Sequence, residues 1–371
     1  MLHEKYMKRA VFLAKKALGY TSPNPLVGAV IVKDGKIIGE GYHHKAGQPH
    51  AERMALADCK RSPKGATIYV TLEPCCHQGR TPPCTEAIIE AGIKRVVIGS
   101  SDPNPLVKGK GVEIMRKNGI TVTEHFLQKE CDGLNDVFFH YITTKMPYVA
   151  LKYAMTADGK IATSTGASRW ISNEASRHHA HHLRHQYSSI LVGIETVLQD
   201  DPLLNCRLEH GTQPLRIICD SRLRIPPESQ ICQTAKEYDT IIAYAQDPFD
   251  KKESLEALGL TLWQLPDENG KVSLPMLMKK LGETGIDSVL VEGGGTIHYG
   301  FLQHNLAQKL YIYFAPKIFG GNIAKTPVGG EGILEPKDAF LLKLLHSNTL
   351  EGDILLEYQI ETKGGAVCSQ D

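Results

Sequence analysis

The triplet His50-Ala51-Glu52, followed downstream by Pro74-Cys75 and Pro83-Cys84, constrains this chain more than any other feature. One imidazole and two thiolates form a ligand set for tetrahedral Zn2+ that keeps a fourth position open for water, as catalytic zinc requires. Such a centre has little net charge, and the metal lowers the pKa of its water toward about 7. Glu52 follows the histidine closely enough to move protons without occupying the metal. Pro49 precedes His50 and Pro82-Pro83 precede Cys84, so both ligands open helices whose N-terminal dipoles favour thiolate. His50, Cys75 and Cys84 are therefore the expected ligands of one zinc per chain, with Cys76 and His77 as alternatives.

A histidine ligand with a nearby glutamate, joined to paired Pro-Cys ligands, is the signature of zinc deaminases that act on nucleobases, and Glu52 is its general acid/base. The usual short spacing between the cysteines is replaced here by an insert from Cys76 to Pro83. That insert must loop out beside the site, and it brings Arg80, whose guanidinium can fork onto a phosphate. Asn24 sits in a proline-flanked turn from which its amide can grip a base edge.

At 371 residues the chain has length for two or three cores. Forty-two basic residues against 41 acidic ones leave a net charge of +1, which offers no electrostatic case for a nucleic-acid or membrane partner. Nine cysteines without framework spacing fit a reducing cytoplasm. The charged N-terminal stretch reads as an amphipathic helix rather than a signal peptide, and no run approaches the ~20 apolar residues of a membrane span.

Periodicity predicts a helix over residues 4–19, strands at 28–32 and 36–40, then helices and strands in alternation to 121–123, a three-layer α/β domain. A helix from Gln128 to Lys145 leads to a boundary at Met146-Pro147, giving domains 1–145 and 146–371. The second half carries strand-like runs at 148–154, 189–192, 215–219, 240–243, 288–291 and 309–315 with helical patterns between them, a second α/β domain. Lys363 to Asp371 reads as a frayed tail.

Longer motifs accompany these elements: Pro23-Asn24-Pro25-Leu26-Val27-Gly28, the run from Thr71 to Cys84, Asp102-Pro103-Asn104-Pro105, Asp158-Gly159-Lys160, Ser168-Arg169-Trp170-Ile171, Val291-Glu292-Gly293-Gly294 and Ala315-Pro316-Lys317. With them the chain resembles, over nearly its whole length, the bifunctional riboflavin-biosynthesis deaminase/reductase family. The resemblance implies a cytidine-deaminase-like N-terminal domain that deaminates a diaminopyrimidine carrying phosphoribosylamine. It also implies a dihydrofolate-reductase-like C-terminal domain that uses NADPH to reduce the ribosyl group, and a homo-oligomer, dimer or tetramer. Carried over, His43 joins Asn24 and Arg80 as a substrate contact. Ala154, Trp170, Thr196, Asp200 and the run Gly294, Gly295, Thr296, Ile297, His298, Tyr299 and Gly300 meet the cofactor. Ser168, Arg184, Leu204, Arg207 and Glu292 meet the phosphorylated pyrimidine, with Lys152 in the same site.

Read from the residues alone, the second half says less. Glycines after the strand at 288–291 let backbone N–H groups approach a pyrophosphate, yet Gly293-x-Gly295-x-x-His298 lacks the last glycine of a dinucleotide fingerprint. After the strand at 215–219, Asp220 suits a free ribose 2′-hydroxyl, whereas Ser221 with Arg222 or Arg224 suits the 2′-phosphate of NADPH, which the resemblance also implies. His178, His179, His181, His182 and His185 include i,i+4 pairs but bring no acidic or thiol companion, and read as a polar helix face. The rival reading of the whole chain, a nucleic-acid base deaminase with a C-terminal binding module, lacks a basic stripe and an aromatic platform.

Overall fold

The computed structural model describes residues 2–78 and 82–361, so Arg80 and the Lys363–Asp371 segment lie outside the described residues. The chain divides between Lys145 and Met146 into two compact units. In the first, α1 (Leu2–Lys15) is followed by β1 (Gly28–Lys33), β2 (Lys36–Tyr42), α2 (Ala51–Ala57), β3 (Thr67–Leu72), α3 (Cys84–Glu90), β4 (Arg95–Ser100), α4 (Lys110–Lys117) and β5 (Thr121–Thr123). The sheet order is β2-β1-β3-β4-β5, antiparallel across β2-β1-β3 and parallel from β3 to β5.

Strand side chains alternate between faces, and here both faces are covered. Val30, Tyr69 and Val97 pack under α1 with Met7 and Ala10. Ile31, Ile68 and Ile98 pack under α2, α3 and α4 with Ala55, Ile88 and Met115. Gly41 lets α2 lie flat on β2, since a Cβ there would stand 2.6 Å from the Ala51 carbonyl oxygen. That close approach seats the helix which begins after His50 and carries Glu52.

The single helix expected from Gln128 to Lys145 is broken into α5 (Gln128–Asp132) and α6 (Asp136–Thr144). The cause is Asn135, which is buried and pairs with the Leu26 backbone. Its Oδ1 accepts from the Leu26 N–H at 2.7 Å and its Nδ2 donates to the Leu26 carbonyl at 3.0 Å. An asparagine that serves another segment's backbone interrupts the helical ladder it would otherwise join.

The second unit runs β6 (Tyr148–Thr156), α7 (Glu174–Gln186), β7 (Ser189–Gly193), α8 (Ile194–Asp200), β8 (Leu215–Cys219), α9 (Gln230–Gln233), β9 (Thr240–Tyr244), α10 (Lys252–Ala257), β10 (Thr261–Gln264), α11 (Leu274–Glu283), β11 (Ser288–Gly293), α12 (Gly295–Gln303), β12 (Lys309–Ala315), β13 (Leu342–Leu350) and β14 (Asp353–Ile360). Its sheet order is β10-β9-β8-β7-β11-β6-β12-β14-β13. Strands β10 through β12 are parallel, and β14 and β13 close the sheet antiparallel. The sequence pattern missed β10, β13 and β14. β13 is exposed along eight of its nine residues, so no buried face imposes an apolar period on it. Its turn into β14 holds α7 in place: Asn173 Nδ2 donates to the Leu350 carbonyl, and Asp353 accepts from the Asn173 N–H and the Ser176 hydroxyl.

Two candidate active sites

In the first unit, β3 delivers Glu73-Pro74-Cys75 to the C-terminal edge of its sheet, while His50 caps α2 and Cys84 opens α3. His50 Nδ1 lies 3.4 Å from both Cys75 Sγ and Cys84 Sγ, and the Cys84 N–H donates to Cys75 Sγ at 3.4 Å. The three donor atoms lie within 4.8 Å of one another. A nitrogen and two sulfurs converging this closely fit tetrahedral zinc with one position left over. A hydrogen bond from the Cys84 thiol, helped by His50, draws Cys75 down to about 4 against its burial. Cys84 is pushed up by the same thiol pair and by burial. Cys76 faces the Leu106 carbonyl instead and is not part of the triad.

Glu52 is 3% exposed, and burial first, then the Cys75 thiolate, push its carboxyl up to about 7. It faces a cavity of about 460 Å³ whose wall includes Asn24, His43, His77, Glu73, Asp102 and, from α6, Phe138 and Tyr141. Asn24 Nδ2 lies 3.1 Å from His43 Nε2, and His43 Nδ1 lies 3.2 Å from the Pro49 carbonyl. The carbonyl demands a proton on Nδ1, so Nε2 accepts from the Asn24 amide. The network therefore leaves Asn24 Oδ1 as the acceptor for a ring substituent. Burial lowers the His43 pKa and keeps that ring neutral.

Glu73, Asp102 and the α6 side chains escaped the residue reading. Glu73 is buried, with Oε2 taken by the Gly109 N–H and Oε1 without a hydrogen-bond partner among the described residues. Its motif and that of Asp102 were visible, whereas nothing in the sequence pattern signalled α6 as a cavity wall.

The second unit has a cavity of about 590 Å³ at the C-terminal ends of the adjacent strands β7, β11, β6 and β12, where open parallel sheets bind ligands. Its wall brings together Lys152, Ala154, Ser168, Trp170, Arg184, Thr196, Asp200, Leu204, Arg207, Glu292, Gly294 and His298. Arg184 forks onto Glu292, and Lys152 Nζ stands 3.6 Å from the same carboxylate. Ser168 donates to Asp200 at 2.8 Å. The Arg177 guanidinium lies 4.6 Å above the Trp170 ring. Gly294 caps α12, so that helix N-terminus opens onto the cavity.

Gly295, Thr296, Ile297, Tyr299, Gly300 and Ser221 are not part of that wall. The Tyr299 hydroxyl donates to the Gly332 carbonyl, Gly300 gives room to Leu274, and the Ser221 hydroxyl accepts from the Val272 N–H. Asp220 is unsuited to a ribose, because it is fully buried and accepts from the Ile225 and Arg222 N–H groups. The five histidines are not one polar face either. His181 is buried against Arg207, His179 bonds to the Tyr313 hydroxyl and His185 pairs with Thr212, which leaves His178 and His182 exposed. Arg177 and Tyr313 line the cavity without having been singled out from the sequence, and so do Arg169, seen only within a motif, and His181, read as part of a polar helix face.

A deaminase-type zinc centre in one unit and a strand-end ligand cavity in the other define a two-domain enzyme of small-molecule metabolism. Residues 1–100 match the family described as cytidine and deoxycytidylate deaminase zinc-binding region, and residues 147–356 match the RibD C-terminal domain. The riboflavin biosynthesis protein RibD of Actinobacillus pleuropneumoniae is 54% identical over 96% of this chain and 94% of its own length. That of Aquifex aeolicus is 44% identical over 96% and 98%. The crystal structure of the deaminase/reductase from Thermotoga maritima superposes with a TM-score of 0.84 at 40% identity, covering 97% of this chain and 99% of that one. The chain belongs to the RibD family of riboflavin biosynthesis enzymes. It joins a cytidine-deaminase-like hydrolase to a reductase, with Zn2+ and NADPH as cofactors.

Proposed function

We propose that the first unit deaminates 2,5-diamino-6-(5-phosphoribosylamino)pyrimidin-4(3H)-one and that the second reduces the ribosyl chain of the product to 5-amino-6-(5-phosphoribitylamino)uracil. The observation that carries the first step is the buried Glu52 beside the three donors His50, Cys75 and Cys84. Zinc, when bound by them, supplies Lewis acidity at its open position. Asn24 Oδ1 orients the pyrimidine by accepting from an exocyclic N–H, and His43 fixes that amide. Glu52, poised near neutrality, takes a proton from the attacking water and returns it to the departing amine. Arg80, in the insert, is proposed as a cation for the substrate phosphate.

In the second unit, NADPH supplies the hydride when bound. Glu292, oriented by Arg184, and Lys152 beside it form a donor and acceptor pair for the sugar hydroxyls. Arg207 is proposed as the phosphate cation, since no carboxylate among the described residues pairs with it. Ala154, Trp170, Thr196, Asp200, Gly294 and His298 hold the cofactor, and Ser168 and Leu204 border the substrate. Incubation with the diaminopyrimidine, with and without NADPH, followed by mass spectrometry, tests both steps. Deamination raises the mass by about one unit and reduction by about two. An unchanged mass with zinc-loaded protein would overturn the proposal.

The edge of the second sheet supports a homo-oligomer, dimer or tetramer. β13 presents Leu342, Leu344 and Leu345 to solvent on an edge strand, and such edges pair unless covered. Sedimentation as a monomer would exclude it. No helix among the described residues is long and apolar enough to cross a membrane, and a cytoplasmic location suits the free thiols.

A further inference from the structure

Two cationic side chains in the second cavity are held in different ways. Arg184 has all three nitrogens engaged, Nε and Nη2 on Glu292 and Nη1 on the Asn205 carbonyl. Arg207 is held by an imidazole: its backbone N–H points at His181 Nδ1 from 3.3 Å, and its Nε at His181 Nε2 from 3.1 Å. A neutral imidazole has one acceptor, so only one of these two donors is satisfied at a time. The grip on Arg207 is therefore weak, and the guanidinium can be handed to a stronger acceptor at small cost. His181 is buried on α7, with Arg184 and His178 on its own helix, Arg207 on the facing segment and Glu292 at the end of β11.

We propose that His181 is the positioning residue for the phosphate end of this cavity: it keeps Arg207 in place while the site is empty, and takes up a proton from solvent when a phosphate dianion claims that guanidinium. This rests on the reading of Arg207 as the phosphate cation. In the empty cavity, burial first and then the Arg184 and Arg207 cations lower the ring to about 4, so it is neutral at pH 7. A dianion cancels that positive field and offers the freed ring nitrogen an acceptor. The charged ring then donates to the anion alongside Arg207, and a charge-assisted hydrogen bond of this kind changes affinity by about tenfold or more.

The test uses the full chain and ribose 5-phosphate as the probe, with ribose as the phosphate-free control. Calorimetry at pH 7 in two buffers of different ionisation enthalpy reads affinity and proton balance together. Wild type is expected to take up more protons than His181→Gln and to bind about tenfold more tightly. NADPH affinity checks that the variant is folded. In the wild-type protein alone, the His181 ring resonance at pH 6 should move from its neutral to its charged position when ribose 5-phosphate is added. Arg207→Ala should lose phosphate-dependent binding. If it does, but His181→Gln binds with unchanged affinity and proton balance, or the ring stays neutral, the role of His181 is overturned. If wild type does not distinguish ribose 5-phosphate from ribose, or Arg207→Ala binds normally, the placement of the phosphate falls and this proposal with it.

Discussion

Arg184 grips Glu292 with two branches of its guanidinium, Nε to Oε1 at 2.8 Å and Nη2 to Oε2 at 2.9 Å. Removing one partner of a buried pair strands the other charge, at a cost of about 3–5 kcal/mol, whereas replacing both with apolar groups is often neutral. Arg184→Met leaves Glu292 with Lys152 alone and should lower the unfolding free energy of the second unit by up to that amount, and Arg184→Met/Glu292→Leu/Lys152→Met should recover most of it. Chemical denaturation measures both, and a single variant as stable as wild type would deny the fork a stabilising role.

The same carboxylate sets an acid limit. Burial alone would raise Glu292, but Arg184 and Lys152 outweigh it and hold the group well below the ordinary carboxylate range. Its stabilisation is complete above the unfolded value of about 4.3 and is lost as pH falls from there toward the lower folded value. Denaturation midpoints of the second unit should be insensitive to this group from pH 8 to about 5 and decline below about 4. Glu292→Gln should flatten that acid slope, and an unchanged slope would assign it to other groups.

Glu52→Gln should retain zinc and lose deamination by about 10²–10⁴-fold, with reduction of pre-deaminated substrate unaffected. Cys84→Ser should instead lose metal, because a hydroxyl does not replace a thiolate ligand. Metal content by atomic absorption, read beside the two activities, separates these outcomes. Full zinc loading in Cys84→Ser would remove it from the ligand set.

We propose that the NADPH 2′-phosphate meets Arg222 rather than Arg224. Arg224 is engaged with Glu195 at 2.6 Å, while Arg222 is exposed at the end of the same turn. Arg222→Ala should reduce the kcat/KM preference for NADPH over NADH by about tenfold to a hundredfold, and Arg224→Ala by less than about threefold. Equal losses would leave the phosphate shared by the two.

Each unit has its own sheet and its own buried clusters, so fragments 1–145 and 146–371 are expected to fold separately. The first should bind zinc and the second NADPH. Zinc titration and cofactor fluorescence check this, and two insoluble fragments would indicate mutual dependence.

The zinc donors and Glu52 were legible because metal chemistry dictates both residue types and spacing. Strands such as Lys309–Ala315 and Leu215–Cys219 were legible because turn residues bound their apolar runs. What escaped depends on contacts distant in sequence. Asn135 breaks a helix by pairing with Leu26, and no local pattern records that. His181 looked like one of five similar histidines until the fold set it against Arg207. Exposed β13 carried no period to read.

The break between α5 and α6 also decides where this deaminase stops being generic. The family-wide zinc-binding region ends at residue 100, yet α6 supplies Phe138, Tyr141 and Ile142 to the cavity, aligned by the hinge whose asparagine is fastened to the loop presenting Asn24. The wall that α6 adds is thus encoded outside the stretch that carries the zinc donors, Glu52 and Asn24. Grafting residues 1–100 onto another scaffold would transfer the zinc donors, Glu52 and Asn24 but leave the α6 side of the pyrimidine cavity behind.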